Sequence, residues 1–495
     1  MRERLKADPS EEVKKYLNIP GIYSTAERSF DNMARINLTH ALMLCKQGII
    51  EKEDAKTLVR NLYEIMNNGV DGIKLDPNIE DLYFNIEQHL IGKIGIECAG
   101  KLHTGRSRND LHSTYARMDA RDEMFNFFPR FFRLRDEIIR IADENKETVI
   151  TGYTHTQAAQ PITVGFYFSA IEEALERDFD RILAAYHRLN QSPLGSCAFA
   201  GTGFPINREY TSELLGFEAP IVNALDCVAS KDYLLEIAAD FSIMASTINR
   251  FAQDLYLWAT NEFAYIELDD SSCSVSSIMP QKKNPTTLEH CKAKSAHFLS
   301  TFVDIFVCLK GISYGHSRDC AHESTHLFYD MFNEMEAVLE LLTSTLRKVK
   351  IKKDCLKVWA DTNFCTATEL ADEIVRKEKV SFRQAHQIVG SVVGEAVNLG
   401  VDAKGITAEM LDKAAVEFAG RTFNWTHEQL AQALDSKYSV EAKLSLGAAA
   451  PIEVAKMLDS MKKKLVQDRE SVAKLEIFQK TAIEKLKKAV AEYLG

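Results

Sequence analysis

Serine, lysine and asparagine crowd one stretch, Ser271 to Cys291, in a pattern suited to holding an anion and activating a hydroxyl. Five of its first seven residues are serines (Ser271, Ser272, Ser274, Ser276, Ser277). Their hydroxyls compete for the backbone, which favours a loop over a helix interior. The stretch closes on Asn284-Pro285, an N-cap followed by a proline at the first helical position, and an apolar helical pattern follows through Phe302. Lys282, Lys283 and Asn284 are therefore expected at a helix start, where free N–H groups, the helix dipole and two ammoniums attract a carboxylate or phosphate. A lone Lys-Lys pair would more often be a solvated surface feature.

Two further stretches carry similar chemistry. In Lys101–Asp110, Ser107 and Asp110 have capping-box spacing ahead of a long helical pattern, and Arg106 and Arg108 bracket the cap. A guanidinium beside free N–H groups binds both oxygens of a carboxylate. In Gly152–Pro161, His155 lies among hydroxyls and amides able to fix its tautomer, and an imidazole is the side chain most suited to proton transfer near neutral pH. If the three helix starts converge, they form one pocket with Arg, Lys, Asn and Thr donors for two carboxylates, plus a hydroxyl and an imidazole.

The elements that would position them are helical. From Lys231 to Glu262, Leu234, Ile237, Ala238, Phe241, Met244, Ile248, Phe251, Leu255 and Trp258 recur mostly at steps of three and four, so this stripe must be buried along its length. Long helices are also expected at Asp110–Asn145 (with Pro129 as a kink), Ile162–Asn190, Thr287–Leu309 and Leu327–Val349. A chain of 495 residues exceeds one ordinary core. The pattern is read as all-α: a helical N-terminal domain over 1–109, a long-helix bundle over 110–360, and a helical C-terminal domain over 361–495. From about Lys462 the chain is Lys- and Glu-rich, as in an exposed amphipathic helix.

A net charge of -11 argues against general binding to nucleic acid or anionic membranes. No run is long and apolar enough for a signal peptide or a membrane span, which points to the cytosol. Ten cysteines stand singly with no C-x-x-C pair, as reduced thiols do.

The string S-S-I-M-P-Q-K-K-N-P resembles the signature loop of the fumarase/aspartase superfamily. Within it, H-T-G-R-S-R-N-D, G-Y-T-H-T-Q-A-A-Q-P-I, Ala367–Ala371, Ser381–His386 and Ser439–Glu441 resemble the argininosuccinate lyase family over most of the chain. The resemblance implies a homotetramer whose central helices bundle across subunits, each active site being built by three of them. It implies reversible elimination of fumarate from an N-succinyl amine, without metal or organic cofactor. It also implies roles: Ser276 as base, Lys282 and Asn284 stabilising the carbanion, and His155 protonating the departing nitrogen. Ser107, Arg108, Asn109, Thr154, Gln157 and Met279 would then hold the succinyl part.

Departures concentrate where the family holds the arginine part. Its Y-N-[RK]-D-L-Q-x-D-K segment stands here as His316–Ser324: Arg318 and Asp319 are kept, while His316, Ala321 and Ser324 replace Tyr, Gln and Lys. An unpaired buried charge is costly, so the lost lysine implies a changed amine. Argininosuccinate or an ethylenediamine disuccinate-type compound is the expected substrate class, with His316 and Arg318 at the amine. Two competing readings are a zinc hydrolase using His322-Glu323-x-x-His326 and a catalytically idle protein like the delta-crystallins of this family.

Overall fold

The computed structural model describes residues 7–494. The N-terminal part contributes α1 (Ile19–Lys46), α2 (Lys52–Asn68) and α3 (Leu82–Ile94). The bundle is built by α4 (Arg108–Glu144), α5 (Val164–Leu189), α6 (Asp232–Trp258), α7 (Thr286–Lys294), α8 (His297–Leu309) and α9 (Phe328–Lys348). A small unit of α10 (Ala367–Glu378), α11 (Phe382–Asn398) and α12 (Ala408–Ala419) follows, and α13 (Pro451–Leu494) runs back along the bundle. The all-α expectation holds, and among the described residues strands occur only as short two-stranded pairs.

Several boundaries differ from the sequence reading, each for a local reason. Pro129 lies inside α4 without ending it. The segment before α5 is not a loop but a hairpin, β1 (Val149–Thr154) against β2 (Gln157–Thr163). Pro161 therefore sits in a strand, and Thr163 caps α5 by accepting from Phe166 N at 2.9 Å. The helix expected over Thr287–Leu309 is two: a turn at Ser295-Ala296 separates α7 from α8, and the Ser295 hydroxyl bonds back to Cys291 O at 2.7 Å.

Hydrogen bonds between helix ends fix the bundle's directions. Val164 N donates to Thr148 O at 2.9 Å and Gly165 N to Asn145 O at 3.0 Å, joining the start of α5 to the end of α4. At the opposite end Arg117, from the first turns of α4, donates to Arg188 O and Leu189 O, the last carbonyls of α5. The two helices are antiparallel. Tyr329 Oη donates to Ala116 O and Lys231 Nζ to Ser113 Oγ, so α9 and α6 start where α4 starts. Thr345 Oγ1 donates to Thr287 Oγ1 at 2.8 Å, which places the start of α7 at the other end.

Between these ends lies an aromatic-rich core in which Phe127 stacks on Phe131 and Phe241 meets Phe332 edge-on. One ion cluster crosses it: Arg135 of α4 donates through Nε to Glu172 of α5 at 2.8 Å and through Nη1 to Asp468 of α13 at 2.7 Å. All three side chains are buried. On α13, Val454, Leu458, Met461, Leu465 and Val472 join this core, whereas Leu486 and Val490 join the separate N-terminal one. Gly216 (φ +72°) fits under Gln479 of α13, whose Nε2 donates to Gly216 O at 2.6 Å; a Cβ there would collide with that amide.

The buried carboxylate of Asp119 joins α4 to α1 by accepting from Ser29 Oγ at 2.6 Å and Asn32 Nδ2 at 2.8 Å. Burial outweighs these donors and pushes its pKa up to about 7. A raised carboxyl pKa stabilises the fold fully below the unfolded value and loses that contribution as pH rises through about 7. Asp119→Asn keeps the shape without the charge. Its thermal midpoint relative to the native chain should therefore climb steadily between pH 4 and pH 7, as read by circular dichroism; a constant difference would mean that Asp119 does not titrate in this window.

Candidate active site

The three stretches sit at helix ends, but not at the same end. Ser107 caps α4 with the expected box: its Oγ accepts from Asn109 N, and Asp110 accepts from Ser107 N at 3.0 Å. Asp110 also accepts from Gly195 N and Cys197 N, tying the Gly-rich 193–205 loop to the cap, although burial pushes its pKa up to about 6. Asn109 Nδ2 donates to Ala198 O at 3.1 Å. Of the two bracketing arginines, Arg106 does not face the cleft: it is buried and donates to Asn37 Oδ1 at 2.8 Å and to the Tyr83 hydroxyl at 3.3 Å. Arg108 stays at the surface, stacked over Phe84 and paired with Glu80 at 3.0 Å and Asp81 at 2.6 Å.

His155 and Thr156 are the turn of the β1–β2 hairpin, flanked by the pair Thr154 and Gln157. Both turn residues are left-handed (φ 53° and 58°), the geometry of a two-residue turn that ordinarily calls for Asn and Gly. Strain of this kind, in a β-branched threonine above all, is kept where it aims a side chain. The hairpin is anchored below its tip by the Tyr153–Tyr265 hydroxyl contact at 2.7 Å and by Asn363 Nδ2 donating to Thr151 Oγ1 at 2.8 Å. Thr154, His155 and Gln157 are exposed.

The serine loop is a second hairpin, β3 (Ser274–Val275) against β4 (Lys283–Asn284). Its turn folds over Ser276, whose Oγ accepts from Met279 N at 3.1 Å and Ile278 N at 3.4 Å. Two N–H donors on one hydroxyl oxygen favour its deprotonated form. Lys283 is spent on Asp270 at 2.7 Å, whereas Lys282 has no carboxylate at ion-pair distance among the described residues. The cap of α7 is one residue later than expected, at Pro285, so Asn284 is a strand residue whose Nδ2 reaches Ser274 Oγ at 3.5 Å. Met279 and Lys282 are exposed, Ser276 partly so.

Convergence within one chain fails for a geometric reason. Ser107 and Asn109 lie where α4 begins; His155 and Ser276 lie where α4 ends, beside the starts of α5 and α7. At 1.5 Å per residue, the 37-residue α4 separates the two groups by about 50 Å.

What the structure does bring to the first turns of α4 is the segment 316–322. His316 and His322 flank a short helix, Arg318–Ala321, and His112 of α4 packs against both: ring centres are 6.4 Å from His316 and 4.7 Å from His322. The sequence motifs leave out His112 and include His322 only as half of a metal motif. The spacing held the signal, since His112 follows Arg108 by one helical turn. That metal motif is not helical here: the helix ends at Ala321 and His322 and His326 bracket a 3-10 turn, Glu323–Thr325. His322 Nε2 accepts from Arg318, and no group of three His, Cys, Asp or Glu among the described residues is placed to hold a metal.

No helix among the described residues is long and apolar enough to cross a membrane. Residues 18–299 match a lyase family model, and residues 364–441 match the argininosuccinate lyase C-terminal model. The chain is 40% identical to argininosuccinate lyase 1 of Shouchella clausii, over 99% of this chain and 98% of the relative. It is 37% identical to argininosuccinate lyase of Methanocaldococcus jannaschii, over 94% of both chains. An EDDS lyase variant with bound fumarate superposes with a TM-score of 0.88 at 32% identity, over 99% of this chain and 97% of that one. A class II fumarase from Schistosoma mansoni shares the fold, with a TM-score of 0.69 at 16% identity over 84% of this chain and 91% of that one. With matches of this extent at both levels, the chain belongs to the argininosuccinate lyase family and is a carbon–nitrogen lyase.

Proposed function

We propose that the chain eliminates fumarate from an N-succinyl amine other than argininosuccinate, with Ser276 as the base. The observation that carries this reading is the Ser276 Oγ held by two backbone N–H groups on an accessible loop that also presents Lys282, which has no carboxylate partner among the described residues. A proton next to a carboxylate is very weakly acidic, because its loss adds charge to a group already charged. Lys282 and Asn284 would stabilise that charge while the ionised Ser276 takes the proton. The C–H electron pair becomes the double bond of fumarate, the C–N bond breaks, and His155 supplies the proton to the departing nitrogen. Ser107, Arg108, Asn109, Thr154 and Gln157 hold the succinyl carboxylates, with Met279 over them.

Such a site needs neighbouring copies, since the required groups lie at opposite ends of one chain. Antiparallel packing of copies would bring those ends together, as a homotetramer does. Exposed apolar side chains support it: Leu299, Val303, Phe306 and Val307 form a stripe on α8, and Val275 and Ile278 of the serine loop are 89% and 83% exposed. The changed amine rests on positions 321 and 324. Ala321 is buried, and the buried Ser324 donates back to Cys320 O in the preceding short helix at 2.7 Å, so neither presents a polar group to a ligand.

The test runs the reaction backwards, with fumarate and a panel of amines and amino acids, chelator-treated protein and detection of adducts by mass. Addition to at least one amine, with arginine among the poorest, is expected. Efficient addition to arginine would refute the altered amine preference, and no addition to any amine would refute the lyase assignment itself.

A further inference from the structure

Behind the hairpin that carries His155 lies a cavity of about 390 Å3 that the elimination does not use. Three elements meet around it: Gln160 and Pro161 of β2, one face of α10, and the residues that follow a short helix, Ser436–Glu441. At about 30 Å3 per water, the space holds roughly a dozen waters or one small organic molecule. Five residues of β2 separate its wall from the His155 turn, about 16 Å at a strand's rise, so it is not the catalytic site.

Glu369, Asp372 and Arg376 of α10 face this space together with Lys443. Two of these charges cancel, because Arg376 donates to Glu369, and to the adjoining Glu373 at 2.7 Å. The other two stay apart. Among the described residues Lys443 has no carboxylate at ion-pair distance, and Asp372 has neither a hydrogen bond nor an ion pair. Lys443 Nζ donates to Ser439 O at 2.6 Å and to Ser439 Oγ at 2.9 Å, which leaves one of its three donors free. Burial pushes its pKa down, against the pull of Glu369, Cys365 and Asp372. The cavity thus presents a half-buried ammonium with a spare donor and a carboxylate with no partner, each in the other's field but not in contact.

We propose that this cavity is a second small-molecule site and that its ligand is a free α-amino acid, whose carboxylate bonds Lys443 and whose ammonium bonds Asp372. A simple anion would satisfy Lys443 but lie beside Asp372 and Glu369; a simple amine would satisfy Asp372 but lie beside Lys443 and Arg376. A zwitterion meets both needs with charge-assisted bonds. Asn363 links the site to the hairpin: its Nδ2 donates to Thr151 Oγ1 of β1 at 2.8 Å, and its Oδ1 accepts from Cys365 N on the cavity wall at 3.1 Å. A ligand that clamps α10 against β2 therefore stiffens the strands that carry His155.

Norvaline, valerate and butylamine test this, since the last two are norvaline without its ammonium and without its carboxylate. In calorimetric titration of the whole protein near neutral pH, norvaline should bind about tenfold tighter or more than either, a difference of about 1.4 kcal/mol. Lys443→Met and Asp372→Asn should each weaken norvaline by about tenfold, and Lys443→Arg, which keeps the charge, should recover part of the loss. Asp372→Asn breaks no contact of the fold, so it decides the matter should Lys443→Met fail to fold. Saturating succinate, an unreactive diacid for the catalytic site, should leave the norvaline affinity unchanged. Bound norvaline should slow hydrogen exchange of the amides of residues 151–162 by about threefold or more. No binding of norvaline, equal affinity for valerate or butylamine, competition by succinate, or an affinity unmoved by the substitutions would overturn the site. Binding with unchanged exchange in the hairpin would overturn its link to His155. Neither readout uses turnover, so all these outcomes are separate from the lyase reading.

Discussion

Ser276→Ala should lower kcat for fumarate release, and for the reverse addition, by about 10³-fold, within the range general-base groups supply. The size follows from what the hydroxyl does in this reading. It is the only atom assigned to take the proton, and the backbone of Ile278 and Met279 serves mainly to lower the energy of its anion. Stability should hardly change, because Ser276 is only half-buried and the two N–H groups it leaves lie on a solvent-accessible turn. A thermal midpoint moved by several degrees would mean that the activity loss reports a damaged loop. A variant retaining a tenth of native turnover with an unchanged midpoint would remove Ser276 from the role of base.

The largest loss of stability should come from Arg135→Met. Arg135 lies at the crossing of α4, α5 and α13, and its removal strands Glu172 in the core without a counter-charge and leaves Asp468 only Lys464, at 2.6 Å. Breaking one partner of a buried ion cluster costs about 3–5 kcal/mol, so the urea midpoint should fall sharply. Replacing all three together, as Arg135→Met, Glu172→Met and Asp468→Leu, should recover most of that loss, since an apolar cluster of similar volume needs no compensation. A single variant within about 1 kcal/mol of native would show that Glu172, whose pKa burial already raises to about 8, takes up a proton while Lys464 holds Asp468.

The sequence displayed the bundle well and the site only in pieces. Stripes such as Leu234 to Trp258 announce themselves because burial along a helix leaves a period that no other constraint produces. The Ser107–Asp110 cap was legible for the same reason: both partners lie within four residues. The turn at His155-Thr156 was not, because its left-handed residues are neither Gly nor Asn and the hairpin's anchors, Tyr265 and Asn363, are far away in sequence. Arg106 misled similarly: nothing near it in sequence shows that Asn37 and Tyr83 draw it inward. Helix direction is the largest omission. Periodicity says where a helix begins but not which way it points, and antiparallel α4 and α5 send the two key segments to opposite ends.

The path of α13 bears on how the chain matures. Its last turns supply Leu486 and Val490 to a nucleus made mostly from early residues, such as Leu42, Leu58 and Leu90, with Leu194, Leu214, Leu215 and Phe217 from the middle of the chain. A ribosome releases those early segments before α13, so part of their apolar surface stays uncovered until α13 has emerged. The nucleus of α1–α3 is thus the part with most need of a chaperone while α13 is still unmade, and losing the last turns of α13 would harm it more than it would harm the small unit of α10–α12.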